Sequence, residues 1–305
     1  MKAVSIIIVN YNLTENIRSL LQSIDKFVIN IDYEVIVVDN NSPDRSIEKL
    51  ASEFPQVRFE FLNTNYGFGH GNNKGVSLST GKYLLLLNPD TYLIENLPLK
   101  LYNFAEAHPD FGIIGPQMNY PDGSFQVSYA NFPNIKQEIA KALRIIRPLL
   151  NALHKIKCKI SKEDFFEVDF IFGSCMFMRR KVFEEVSGFD EDYFLIVEET
   201  DLCYKIKKNT KFSIVYWQTP IIHHLKSQIT GKDNTARLRQ EYISKLKFFF
   251  KHYSVLKILI LRVTIVFIFT LKYVVHSAKK ESKQKVMDVY RHIIKLYLNP
   301  DSIVK

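Results

Sequence analysis

Through the first two thirds of the chain, short apolar runs alternate with segments whose apolar positions recur every three or four residues. Val4–Val9, Glu34–Val38, Val57–Leu62, Tyr83–Leu87 and Gly112–Gly115 read as strands. The runs rich in Val, Ile and Leu lack polar alternation, the mark of parallel strands covered on both faces. After the first run, Thr14 is the expected N-cap of a helix, and Ile17, Leu20, Leu21 and Ile24 share one face of it. Pro43 predicts the start of a second helix ending near Phe54, and Glu95–His108 a third. This rhythm predicts an α/β fold with a doubly wound, mostly parallel sheet, in which ligands sit at the carboxyl ends of strands.

Residues 116–167 are less regular, with a Pro-Asp-Gly turn at 121–123 and a basic helical stretch, Ile135–Lys159. Val168–Met178 reads as one further strand, followed by a short helix from Arg180, and from Lys232 the pattern is helical throughout. The expected division is an α/β domain over 1–230 and a helical region over 231–305.

Charge sharpens that division. From Lys205 onward there are 21 Lys+Arg against 5 Asp+Glu, whereas the first 204 residues carry 20 basic and 27 acidic groups. An acidic front and a basic back imply two jobs, the second near an anionic surface. If Lys247–Lys280 were one ideal helix, Lys247, Lys251, Lys257, Arg262, Lys272, Lys279 and Lys280 would share an arc of about 140°. Leu256, Val263, Phe267 and Val274 would lie opposite, as in a helix resting in an anionic membrane interface. Packing on the rest of the protein is the plainer alternative. The uncharged run Val263–Leu271 falls short of the roughly 20 residues of a membrane span.

The whole chain has 305 residues, 47% hydrophobic and 24% charged, which excludes disordered and fibrous classes. Cys158, Cys175 and Cys203 have neither CxxC nor metal-finger spacing and read as reduced core thiols of a cytosolic protein. Val4–Val9 is too short for a secretory signal.

Four places carry candidate chemistry. The second strand ends in Asp39-Asn40-Asn41-Ser42, which fits equally a contact to a base or ribose and an Asx turn. Asn65 to Gly75 holds four glycines that would let the backbone approach a ligand ahead of a helix, yet matches neither GxGxxG nor a P-loop. The fourth strand ends Asn88-Pro89-Asp90, a carboxylate suited to a divalent cation on a diphosphate, or else a turn. Six carboxylates between Asp190 and Asp201 would raise one another's pKa and supply a general base, or mark a solvated helix start. His223-His224 follows an Ile-Ile run and offers an imidazole.

In order along the chain, Val4–Asn12, Val38–Ser42, Asn65–Gly75, Leu87–Asp90, Gly188–Phe194, Glu198–Cys203 and His223 resemble the motifs of family 2 inverting glycosyltransferases of GT-A fold. The nearest resemblance is to the rhamnosyltransferase-like branch that builds bacterial surface polysaccharides, and it covers about residues 4–230. It implies that Asp39 contacts the donor base or ribose, with Asn10 and Asn12 lining the same pocket. Asn65, Gly67 and Asn72 would hold the nucleotide side. Asp90 would bind Mg²⁺ or Mn²⁺, with His223 as a second metal ligand, and Glu199 would be the catalytic base. Two departures stand out: Asn88 in place of the first Asp of DxD, and Glu in place of Asp at 199. The implied partners are a dTDP- or UDP-sugar and a glycan or lipid-linked glycan acceptor, with no nucleic acid. With the basic back half they imply a cytoplasmic enzyme peripherally attached to the membrane. A sugar nucleotidyltransferase would need a Gly-rich basic loop after the first strand, where Asn10–Asn16 stands instead. A non-catalytic nucleotide-sugar or glycan-binding module would not need Asp90 and Glu199 together.

Overall fold

The computed structural model describes residues 2–43, 45–143, 164–225, 234–277 and 284–300. By contacts the chain divides into two units. One takes the described residues within Met1–Phe132, Ser161–Phe194 and Glu198–Ile229, the other those within Pro133–Ile160, Leu195–Val197 and Thr230–Lys305. The described residues within Pro133–Ile160, and Leu195–Val197, group with the second unit.

The first unit is built on a mixed ten-stranded sheet. Strands β1 (Val4–Asn10), β2 (Tyr33–Asp39), β3 (Arg58–Phe61) and β4 (Tyr83–Leu87) are mutually parallel in the order β3-β2-β1-β4. All of β1 and β4 is buried, which is why their sequences show no alternation. Beyond β4 come β11 (Cys175–Arg179), β6 (Phe111–Asn119), β12 (Ser213–His224) and β5 (Thr91–Leu93). Strand β11 runs antiparallel to both β4 and β6, while β12 is parallel to β6 and antiparallel to β5. Short β7 (Phe125–Gln126) and β9 (Phe165–Glu167) pair with β6 and β12, and β8 (Tyr129–Ala130) pairs with β10 (Phe170–Ile171) in a separate two-stranded sheet.

Helix α1 (Thr14–Phe27) buries Ile17, Leu20, Leu21 and Ile24 as expected, but its N-cap is Leu13, and Thr14 instead pairs its hydroxyl with Ser46. Helix α2 (Ser46–Glu53) starts later than Pro43, because Ser42 is tied back to Asp39 and Arg45 takes a left-handed turn at φ 48°. Helices α3 (Phe68–Ser77), α4 (Leu97–Ala107), α6 (Arg180–Glu185) and α7 (Glu198–Asn209) complete this unit. The expected strand Val168–Met178 is two strands, β10 and β11, separated at Gly173 and joined to different partners.

The second unit holds α5 (Ile135–Ala142), α8 (Asn234–His252), α9 (Val255–Ser277) and α10 (Gln284–Leu298) around an apolar core that includes Leu246, Phe249, Leu261, Ile265 and Ile293. The expected helix Ile135–Lys159 is described only to Ala142, and positions 144–163, Cys158 among them, lie outside the described residues. Lys247–Lys280 is not one helix, for the chain breaks between His252 and Val255, and Lys279 and Lys280 are outside the described residues. Within this core Glu138 accepts from Lys245 at 2.9 Å and from Lys141 at 3.0 Å. Burial alone would raise the Glu138 carboxyl, but the two lysines hold it below the usual range.

Candidate active site

The residues expected on the donor side begin at the carboxyl edge of β1 and β2, where Asn10 and Asp39 are direct register partners. Both are buried. Asn10 Nδ2 donates to Asp39 Oδ1 at 2.6 Å, Ser42 Oγ donates to the same oxygen at 2.6 Å, and the Ser42 backbone N–H donates to Oδ2 at 2.9 Å. Ser42 Oγ also accepts from the Asn12 backbone N–H at 2.9 Å, while the Asn12 side chain is exposed. The Asx-turn reading and the ligand reading of Asp39 therefore coexist. A carboxylate accepts about four hydrogen bonds, and these three leave one position.

Asn40 carries the frame onward, donating from Nδ2 to Gly67 O at 3.0 Å and accepting from Tyr66 N–H at 3.0 Å. Asn65 Oδ1 accepts from Gly67 N–H at 3.0 Å. Gly67 has φ +92°, and a Cβ there would lie 2.1 Å from Phe194 O, so only glycine fits. The other glycines of the motif serve a different end. Inside α3, a Cβ at Gly71 would strike Val9 and one at Gly75 would strike Ile7, so they let the helix lie close on the sheet rather than admit a ligand. Asn72 is buried and donates to Phe68 O at 2.9 Å within the helix.

Asp90 sits between β4 and β5 and is buried. Because β12 pairs antiparallel with β5, His224 stands opposite Thr91 and brings its Nε2 to 3.2 Å from Asp90 Oδ1. His223, one residue earlier, points to the other side and bonds Tyr92 Oη through Nδ1 at 2.8 Å. The imidazole beside Asp90 is thus His224, not His223, since consecutive strand residues face opposite ways. Asp90 Oδ1 and His224 Nε2 are buried and close, yet neither makes a hydrogen bond among the described residues. Two buried atoms facing each other at this distance suit a shared cation. His224 Nδ1 lies 2.9 Å from Gln126 Nε2 and 3.1 Å from Gln126 Oε1; in the tautomer whose Nδ1–H donates to Oε1, the Nε2 lone pair faces the carboxylate. Among the described residues no group of three or more His, Cys, Asp and Glu side chains could hold a metal. A cation here would complete its shell from substrate phosphate and water, as Mg²⁺ commonly does.

The acidic helix start adjoins this edge. Asn88 N–H donates to Ser174 O at 3.0 Å, and the neighbouring Gly173 packs against Phe68 and the Glu199 Cβ. Three carboxylates in the first turn of α7 have three environments. Glu198 is buried, with Oε2 lacking a hydrogen bond, and burial together with the Glu199 charge pushes its carboxyl well above the ordinary value. Asp201 is also buried, accepts from Tyr193 Oη at 3.2 Å and lies 4.0 Å from Lys205 Nζ. Glu199 alone is partly exposed. The expected mutual raising of pKa does not hold across the cluster. Burial would raise Glu191, but hydrogen bonds with Asn73 and His70 bring it below the usual range.

Sequence reasoning assigned no role to Gln126, read Ser42 only as part of the polar strand end, and of the His223-His224 pair named His223 as the metal ligand. Nothing in the sequence points to Gln126.

Residues 5–187 match the family model described as Glycosyl transferase family 2. The chain is 26% identical over 238 residues to the N-acetylglucosaminyl-diphospho-decaprenol L-rhamnosyltransferase of Mycobacterium tuberculosis, covering 72% of this chain and 75% of that one. It is 26% identical over 214 residues to rhamnosyltransferase WbbL of Escherichia coli, covering 67% and 76%. Among solved structures, GalNAc-T7 with UDP, GalNAc and Mn²⁺ superposes with a TM-score of 0.58 at 12% identity, over 82% of this chain and 50% of that one. That likeness is one of fold.

Proposed function

The chain belongs to glycosyl transferase family 2, and from that premise we propose a single displacement with inversion at the anomeric carbon. The sugar moves from a nucleoside-diphosphate donor (dTDP- or UDP-linked) to a hydroxyl of a glycan or lipid-linked glycan acceptor in cell-surface polysaccharide synthesis. The rhamnosyltransferase relatives, one named for a diphospho-decaprenol substrate, support that acceptor class.

Asp39 accepts from the donor base or ribose at its remaining position, held in place by Asn10 and Ser42. The backbone of Asn65–Gly67 borders the nucleotide, and Asn12 presents its side chain beside it. Asp90 and His224 would hold Mg²⁺ or Mn²⁺, which when bound neutralises charge on the departing diphosphate. Glu199 takes the proton from the acceptor hydroxyl as that oxygen attacks; Glu198 and Asp201 are buried and shape the helix start. The observation that carries this reading is the buried Asp90–His224 pair, whose facing atoms have no other partner. The acceptor class and the basic second unit support peripheral work at the cytoplasmic face of an anionic membrane.

The test is to incubate the purified chain with a panel of nucleotide sugars and identify the product released. Nucleoside diphosphate, formed only with divalent metal and lost in Asp90→Ala, is the expected result. Pyrophosphate would indicate a nucleotidyltransferase, binding without turnover a binding module, and chelator-insensitive turnover would remove the metal.

A further inference from the structure

Helix α9 is apolar on two sides, and among the described residues only one side is packed into a core. Ile258, Leu261, Ile265, Ile268 and Phe269 are buried in the core of the second unit. On the opposite side, exposure runs from 49% at Ile260 to 68% at Leu256 and Phe267, with Val263, Leu271 and Val274 between. On an ideal wheel these residues and Leu259 share an arc of about 120°, interrupted only by Thr270 and Ser277. With 23 residues the stripe is about 35 Å long.

Arg262 and Lys272 lie on the packed side, opposite this stripe, where the sequence wheel places them, but they are used within the unit and not turned to headgroups. Arg262 donates to Tyr297 O at 2.8 Å and Leu298 O at 2.9 Å at the end of α10, and Lys272 donates to Ala142 O at the end of α5. Both complete helix C-termini, where cations are favoured. They also hold α9 lengthwise on its own unit, so the exposed stripe is a fixed surface.

We infer that this stripe is a docking surface for an anionic lipid bilayer, with α9 lying in the interface plane and its apolar side chains entering the acyl boundary. The inference rests on the membrane-side reading above and names the surface that does the work. Charge decides the occupant. Between 242 and 280 there are eight Lys and Arg and no Asp or Glu, and residues 231–305 hold 16 Lys+Arg against 5 Asp+Glu, a net +11. A second copy docked on the same stripe would bring two such cationic units together, whereas anionic headgroups complement them. The helix is long and apolar enough to cross a membrane by composition. Spanning, however, would strip away the packed side and expose Arg262 and Lys272 to hydrocarbon.

The experiment is flotation of the full chain with phosphatidylglycerol or phosphatidylcholine vesicles, using wild type, V263S/F267S and K257Q. Wild type should float with phosphatidylglycerol and weakly with phosphatidylcholine. V263S/F267S should bind at least about tenfold more weakly, with unchanged thermal unfolding and unchanged donor hydrolysis. K257Q should weaken binding modestly at low salt. No flotation of wild type, or equal flotation of V263S/F267S, overturns the surface. So does resistance to alkaline carbonate extraction, which would mean a span, or a dimer that V263S/F267S dissolves. Absence of donor turnover with normal flotation would instead strike the enzymatic reading and leave this one standing.

Discussion

The three carboxylates at the start of α7 can be told apart by amide substitution, one at a time. Glu199→Gln keeps shape and removes the proposed base. General-base catalysis contributes about 10²–10⁴-fold, so transfer should fall by that factor, roughly 3–5 kcal/mol of barrier, while donor affinity holds. Asp201→Asn should act on the fold. The amide still accepts from Tyr193 Oη but loses the charge facing Lys205, at about 1–3 kcal/mol of stability with near-normal transfer per folded molecule. Glu198→Gln should also transfer normally and carries a pH signature. Its folded carboxyl is raised, so between the unfolded value and the folded one the native state keeps a proton that the unfolded chain has lost. The contribution of Glu198 to stability is therefore full below the unfolded value and declines as pH rises through the folded one. Glu198→Gln should match wild type near pH 4 and exceed it near pH 8. The assays are initial rates of nucleoside diphosphate release at saturating donor with acceptor present, and urea unfolding across pH. If Glu199→Gln retains transfer while Glu198→Gln or Asp201→Asn abolishes it, the assignment of the base is wrong.

Two further substitutions probe other parts of the molecule. His224→Ala should raise the Mn²⁺ concentration needed for turnover at least about tenfold, whereas His223→Ala, which loses only Tyr92, should not; equal effects would refute the register argument. Lys245→Met leaves Glu138 buried with Lys141 alone and should cost up to about 3–5 kcal/mol in urea unfolding, and a loss of about 0–1 kcal/mol, typical of surface pairs, would refute its buried character.

The parallel half of the sheet was legible because β1, β2 and β4 are buried on both faces and must be written in Val, Ile and Leu. The polar residues closing those strands, Asn10, Asp39 and Asp90, were legible for the same reason, since a carboxylate or amide leaving such a run needs a partner. Less was readable where strands meet across long stretches of sequence. Strand β12 carries a register shift between Trp217 and Ile221, and nothing local says which of two adjacent histidines it turns toward Asp90. Gly71 and Gly75 were misread because helix-to-sheet closeness and ligand closeness both ask for glycine. A helical wheel drawn across Tyr253 and Ser254 could not foresee the break there, or the carbonyls waiting for Arg262 and Lys272.

The position of β12 also bears on when the enzyme can first act during its own synthesis. The frame around Asp39 is assembled from β1, β2 and the loop to Gly67, all near the amino terminus. Asp90, by contrast, meets its histidine only after Ser213–His224 has left the ribosome and settled against β6 and β5. Such distant pairings close late, after the local ones. The Asp39 frame can therefore form from chain already synthesised while the Asp90–His224 pair must wait for β12, so the two halves of the proposed site come together at different times.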